Sequence, residues 1–222
     1  MELFDIYQEK IAQCDREIEK ILNQFGDKID MEEQLLPTQP KKRKPSRNEP
    51  KFDLRSHLYR ISGVDLTRIE GITAYTALTI ISEIGLDMNS WKTEKHFTSW
   101  LGLCPGNKIS VGKSIRGKSK PTANRAAGAL RLAAQSLYNS HSALGAFLRR
   151  QKARLGAPKA ITATAHKLAH LIYSLLKHGT EYVDAGQDYY EEQYRQRVLY
   201  NLKRRARQMG FYLVEKETGA IT

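Results

Sequence analysis

The sequence predicts a mainly α fold, and three observations carry that expectation. Apolar residues recur at helical spacing almost without interruption from Phe52 onward, strand-type patterning is confined to 211–214, and residues 4–25 hold a seven-residue apolar repeat. The chain is expected to comprise an oligomerisation helix of coiled-coil type over 1–26, a Pro- and Lys-rich linker over 27–52, a compact helical domain over 53–215 and a tail over 216–222. With 222 residues, 41% of them hydrophobic, it is long enough to bury a real core in one or two domains.

The N-terminal helix places Phe4, Tyr7, Ile11, Cys14, Ile18, Ile21 and Phe25 at alternating spacings of three and four, with Glu9, Lys10, Asp15, Arg16, Glu17, Glu19 and Lys20 on the other faces. That is the seam of a coiled-coil strand. Three heptads are marginal alone, so the seam needs cover. A second copy of the chain would supply it, which predicts a homo-oligomer; the other reading is an amphipathic helix lying on its own domain. Residues 27–52 lose periodicity and contain Pro37, Pro40, Pro45 and Pro50. Their basic run Lys41-Lys42-Arg43-Lys44 with Arg47 resembles an import signal by composition, but reads better as a tether lying along a nucleic-acid backbone.

Beyond the linker, helices are expected over roughly 54–69, 73–85, 94–101, 122–139, 142–155, 159–178 and 187–209. Pro121-Thr122 precedes Ala127, Leu130, Ala134 and Leu137 at helical spacing, and Ser142 suits an N-cap. Gly179 follows the apolar face of Ile161, Ala165, Leu168, Ile172 and Leu175, a C-terminal stop.

Charge is concentrated. Residues 95–180 carry 15 Lys and Arg and no Asp or Glu, where a proportional share would be roughly nine acids; the remaining residues hold 21 basic and 24 acidic side chains, giving +12 overall. A one-signed block in an otherwise near-neutral chain implies a polyanionic partner, because binding phosphates releases counterions. It also means that chemistry in this block needs carboxylates from elsewhere. No run of about 18 apolar residues occurs and the N-terminus is acidic and amphipathic, so neither a membrane span nor a signal peptide is expected and a cytoplasmic location is. Cys14 and Cys104 belong to no CxxC or Cys/His cluster, which predicts reduced thiols and no zinc site.

Two motifs stand out. Residues 66–77, Leu-Thr-Arg-Ile-Glu-Gly-Ile-Thr-Ala-Tyr-Thr-Ala, have an apolar-x-Gly-apolar turn between two expected helices, which looks like a helix-hairpin-helix element. Gly71 would allow a tight turn, and Thr73 stands where the second helix exposes N–H groups to a phosphate; an ordinary helical hairpin remains the other reading. Residues 102–121 hold four glycines and two prolines, hence a loop, and Lys108, Lys113, Arg116, Lys118 and Lys120 make it a phosphate-facing one. Its glycine and Gly-Lys-Ser spacing is not that of a P-loop. Ser110 lies in its middle; a serine hydroxyl is a poor nucleophile without a base or metal, and no local residue serves. Arg125 and Arg131, on the helix that follows, are further phosphate candidates.

Other chemistries are weaker. Tyr189, Tyr190, Tyr194 and Tyr200 raise a tyrosine recombinase, but no activating Arg/His constellation accompanies them and their helical spacing suits packing. His166 and His170 stand one helical turn apart, yet no third metal ligand is evident and no metal is assigned.

The run Gly-Leu-Cys-Pro-Gly-Asn-Lys-Ile-Ser-Val-Gly-Lys at 102–113, with Gly71-Ile72-Thr73-Ala74, Ser82-Glu83-Ile84-Gly85 and Phe97-Thr98-Ser99-Trp100-Leu101 before it and Ala157–Ala169 after it, resembles the C-terminal domain of the DEDD transposases of bacterial insertion sequences, relatives of the pilin-gene invertase. The resemblance runs from the N-terminal helix to about residue 215. It implies DNA transposition, with Ser110 as the nucleophile that attacks the DNA backbone. It further implies a RuvC-like domain acting in trans, whose four acidic ligands bind Mg²⁺, and a structured guide RNA that pairs with target and donor DNA. Val111 departs from the pattern, since relatives usually carry Gly after the serine, and a β-branched residue restricts φ. The expectation is therefore a C-terminal transposase half needing complementation, inactive alone; the alternative is a catalytically silent DNA- or RNA-binding remnant.

Overall fold

A computed structural model describes residues 2–38, 49–106, 108–110, 113–115, 122–179 and 182–214 of the chain. The basic run 41–44, Arg47, Arg116, Lys118 and Lys120 lie outside the described residues, as does the tail. The fold is mainly α, as the periodicity predicts.

Helix α1 (Glu2–Leu22) is followed by α2 (Leu54–Ser62), α3 (Ala74–Ile84), α4 (Glu94–Trp100), a short hairpin of β1 (Lys108–Ser110) and β2 (Lys113–Ile115), then α5 (Arg125–Ser136), α6 (Ala143–Leu155), α7 (Ala157–His178) and α8 (Gly186–Gln208). Side-chain caps set most starts: Asp53 accepts from Ser56 N, Thr73 from Thr76 N, Thr93 from His96 N, Asn124 from Ala127 N and Ser142 from Gly145 N. Helix α7 begins two residues earlier than its apolar face suggests, after Gly156 and with Pro158 in its first turn.

Two expectations are corrected. Residues 54–69 are not one helix: Gly63, at φ 78°, ends α2 in a left-handed cap, and a 3₁₀ turn over Leu66–Arg68 follows. Asp65 fixes that turn, because its buried carboxylate accepts from Thr67 N and Thr67 Oγ1 and from Arg55 Nε at 3.1 Å. Residues 102–121 are not loop throughout, since the segment after α4 contains the antiparallel pair β1 and β2, while the weak strand patterning at 211–214 corresponds to no strand.

The core is built around α7. Its Ala160, Thr164, Ala165, Leu168, Ala169, Ile172 and Leu176 are buried against α4, α5 and α6. The small residues of α5, Ala126, Ala127, Ala133 and Ala134, let it sit close between α3 and α7. Trp91 packs edge-on to Phe97 at 5.0 Å, and the Tyr173 hydroxyl donates to Trp91 O at 2.9 Å. Helix α1 docks by one end: Leu22 is buried, Ile18 packs on the core, and Arg60 Nη2 donates to Leu22 O at 2.9 Å. The expected linker is also tied to α2, since Lys28 N donates to Arg60 O and Arg55 Nη2 to Pro37 O. Phe4, Tyr7, Ile11, Cys14, Ile21 and Phe25 of the seam remain exposed.

Candidate nucleic-acid interface

Helix α4 buries Phe97 and Thr98 and delivers Leu101 and Leu103 into the core, which fixes where the loop to the hairpin starts. Cys104 pins the next residue: its Sγ lies 3.3 Å from Thr98 Oγ1 and 3.6 Å from His166 Nε2 on α7. From this anchor the chain enters β1, whose register pairs Lys108 with Ile115, Ile109 with Ser114 and Ser110 with Lys113. Ser110 is thus the last residue of β1 and Lys113, its register partner, the first of β2. Lys108 opens the pair; Val111 and Gly112 lie outside the described residues.

The other predicted contacts divide by what they already bind. Arg125 is exposed and its Nε donates to Glu83 Oε2 at 3.0 Å. The side chain of Arg131, half-buried one and a half turns along α5, makes no hydrogen bond or ion pair with a described residue. Gly71 has φ 89°, and a Cβ there would stand 2.9 Å from Ala133 O and 3.1 Å from Leu137 Cδ2, so packing of the turn on α5 requires glycine. Ile69 and Ile72 on either side are buried. The Thr73 hydroxyl caps α3 and bonds Thr76 Oγ1 at 2.8 Å. The segment before this turn is the 3₁₀ turn at 66–68, so the two helices flanking it are α2 and α3, joined by a longer connection than the sequence suggests.

Sequence spacing could not reveal the histidine surroundings. The His166 and His170 rings lie 4.7 Å apart, with Cys104 beside the first and Glu94 Oε1 3.9 Å from His170 Nδ1. Burial, and then the neighbouring His170, hold the His166 imidazole below its ordinary pKa, so it is neutral at neutral pH. Among the described residues no group of three or more His, Cys, Asp or Glu is arranged to hold a metal. Of the tyrosines, Tyr190 packs edge-on to Phe147 and Tyr194 lies under the Arg150 guanidinium at 3.3 Å. Those two are packing groups, in line with their helical spacing.

Several cations that look alike in sequence are structural. Arg149 donates to Tyr138 O, Ser140 O and Gln187 Oε1, tying α6 to the turn before it and to α8. Lys177 Nζ donates to Tyr173 OH at 2.8 Å, and Lys152 sits over the Tyr138 ring.

The model of the transposase IS116/IS110/IS902 family matches residues 65–149, from the buried Asp65 to Arg149 on α6, a span containing the hairpin and α5. The similarity supports a transposase of that family and a role in transposition, and it implies DNA as a partner. No curated protein matches the chain. No helix among the described residues is long and apolar enough to cross a membrane.

Proposed function

We propose that the chain is the C-terminal, DNA-handling half of a transposase and that Ser110 is its nucleophile. What supports this is the register position of Ser110: it ends β1 opposite Lys113, inside the matched span and inside a block of 15 cations without a carboxylate. Lys108, Lys113, Arg116, Lys118, Lys120, Arg125 and Arg131 would hold phosphates near it, and their charge would favour the developing negative charge of a pentavalent phosphorus. In the step itself the Ser110 oxygen bonds to phosphorus, the bond from phosphorus to a sugar oxygen breaks, and that oxygen leaves carrying a proton. The serine's own proton needs an acceptor, and protonated Lys and Arg cannot take it. A RuvC-like domain in trans would supply carboxylates and Mg²⁺. The described residues of this chain do not form a site for that ion, so no step is assigned to a metal held here. A structured guide RNA would choose the DNA, and a cytoplasmic location follows from that work.

The test is a covalent trap. A nicked duplex carrying a strand label is incubated with the chain, a RuvC-like domain of a relative, that relative's RNA and Mg²⁺, and protein–DNA adducts are separated under denaturing conditions. An adduct that Ser110→Ala abolishes is the expected result; one that survives the substitution moves the nucleophile elsewhere. The second reading, a silent binding remnant, is favoured by Val111, a β-branched residue that restricts φ at the position where the family it resembles usually carries Gly. Under it, Val111→Gly restores the adduct.

A further inference from the structure

We infer that the C-terminal half of α8 is a second nucleic-acid contact, lying along the phosphate backbone of duplex DNA. Residues 193–214 contain Arg195, Arg197, Lys203, Arg204, Arg205 and Arg207 and no Asp or Glu, a second acid-free basic stretch outside both the 95–180 block and the 65–149 family match. The contacts that hold the helix on the domain come from its N-terminal part, up to about Leu199. Gln187 accepts from Arg149, Tyr190 packs on Phe147, Arg150 stacks on Tyr194, and Asp184 accepts from Ala143 N just before the helix starts. Helix α8 has 23 residues and α6, its support, has 13. At about 1.5 Å per residue their lengths are roughly 35 Å and 20 Å. Residues 200–205 and 207–214 are accordingly all exposed, and no residue of α8 is buried.

The side chains of Lys203, Arg204, Arg205 and Arg207 make no hydrogen bond or ion pair with a described residue. Lys203 and Arg207, four apart, repel across one turn with no acid between them, an arrangement that an outside anion relieves. The helix dipole accounts for Arg205 and Arg207 in the last turn but not for Arg195 or Arg197 two or more turns earlier. At 100° per residue Lys203, Arg207, Arg204 and Arg197 fall within about 120° of the circumference, one face that can lie along a phosphate row, with Arg195 and Arg205 to either side of it. The exposed apolar residues Val198, Leu202 and Met209 line up within about 40° of one another and offer a protein partner as the competing occupant; that stripe lies on the side of the helix opposite Lys203, Arg207, Arg204 and Arg197, so it leaves the cationic face open, and on that face charge decides for DNA.

This inference rests on the reading that the chain binds nucleic acid, and the experiment separates the two. The full chain and the variant Lys203→Gln, Arg204→Gln, Arg205→Gln, Arg207→Gln bind a random-sequence duplex DNA between 50 and 200 mM salt. Gln and Arg have similar helix propensity and these positions are exposed, so the variant keeps its helix. Each lost phosphate contact lowers the slope of log affinity against log salt by about 0.9, so loss of three or four contacts lowers it by roughly three. A wild-type chain with no salt-dependent binding overturns the broader reading. A steep wild-type slope that the variant retains overturns the role of α8. If the variant loses affinity for single-stranded RNA but not for the duplex, or if Leu202→Ser with Phe211→Ser weakens duplex binding more than the charge variant does, the duplex backbone is not the occupant.

Discussion

Replacing Gly71 by alanine separates the two readings of the turn before α3. The backbone there has φ 89°, and an added Cβ would meet Ala133 O at 2.9 Å and the Leu137 side chain at 3.1 Å. A positive φ costs an L-residue roughly 1–2 kcal/mol. Pressing a methyl group onto a helix backbone adds about 1–3 kcal/mol of overpacking. The stiffer unfolded chain returns about 0.4–1 kcal/mol, so the net loss centres near 3 kcal/mol. Gly179 is the control: it is also left-handed, at φ 64°, but nothing lies within 4 Å of where an added Cβ would stand. Gly179→Ala therefore carries the backbone term alone and loses about 1 kcal/mol. Urea unfolding followed by helical circular dichroism measures both, with the slope on urea checked for constancy. Equal losses for the two variants would refute the close approach of the turn to α5. Should Gly71→Ala keep its stability and yet bind DNA tenfold more weakly, the glycine would serve a phosphate instead of a neighbouring helix.

Three further outcomes follow from named contacts. Asp65→Ala leaves Arg55 half-sequestered without its carboxylate and Thr67 N without its acceptor, and loses about 3–5 kcal/mol in the same urea assay, well beyond an exposed pair. His166 has a folded pKa below its ordinary 6.5, so the unfolded chain takes up the proton first as pH falls; its contribution is complete above 6.5 and is lost below it, a loss that His166→Gln should remove from a thermal stability profile taken from pH 8 to pH 5. Tyr7 and Ile11 are both exposed on the α1 seam, so Tyr7→Glu with Ile11→Glu should leave the melting temperature of a dilute monomer unchanged while lowering the mass seen by sedimentation at high concentration; equal masses would mean that no second copy covers the seam.

Much of the fold is legible because periodicity and caps agree. Thr93, Asn124 and Ser142 each precede an apolar period and each accepts from the N–H three residues on; α4 and α6 start where the sequence says, while α5 starts at Arg125, three residues after the expected 122, because Asn124 caps it. Gly63 escaped because Leu58, Ile61, Val64 and Leu66 keep a near-helical spacing across the break, while a single glycine's left-handed φ has no periodic signature. The hairpin at 108–115 escaped because three-residue strands are too short to alternate, and pairing, a non-local event, defines them. In α1 the seam is the longer apolar stripe, yet Leu22, which lies off it, is the residue that the domain buries; a helix with two stripes does not declare which one its own chain covers. The Cys104–His166 contact joins residues 62 apart and leaves no mark in local sequence.

The charge block is where sequence and structure must be read together. Of its 15 cations, seven are committed within the protein: Arg125 to Glu83, Arg149 to three acceptors, Arg150 and Lys152 to tyrosine rings, Arg154 to Gln151, Lys167 to Phe147 and Lys177 to Tyr173. Five of the other eight, Lys108, Lys113, Arg116, Lys118 and Lys120, fall within 13 residues around Ser110. Net charge therefore overstates how many side chains can turn to a phosphate and understates how closely those that can are gathered. If the loop carries the binding proposed for it, replacing these five by Gln should lower the salt slope by about four, since each phosphate neutralised contributes about 0.9. Replacing Arg149, Arg150, Lys152 and Lys177, nearly as many charges, should lower it far less and reduce stability instead. Ser110→Ala should change neither. Equal slopes for the two cation sets would mean that the DNA responds to the summed field of the domain, and the loop would lose its claim to place a phosphate at Ser110.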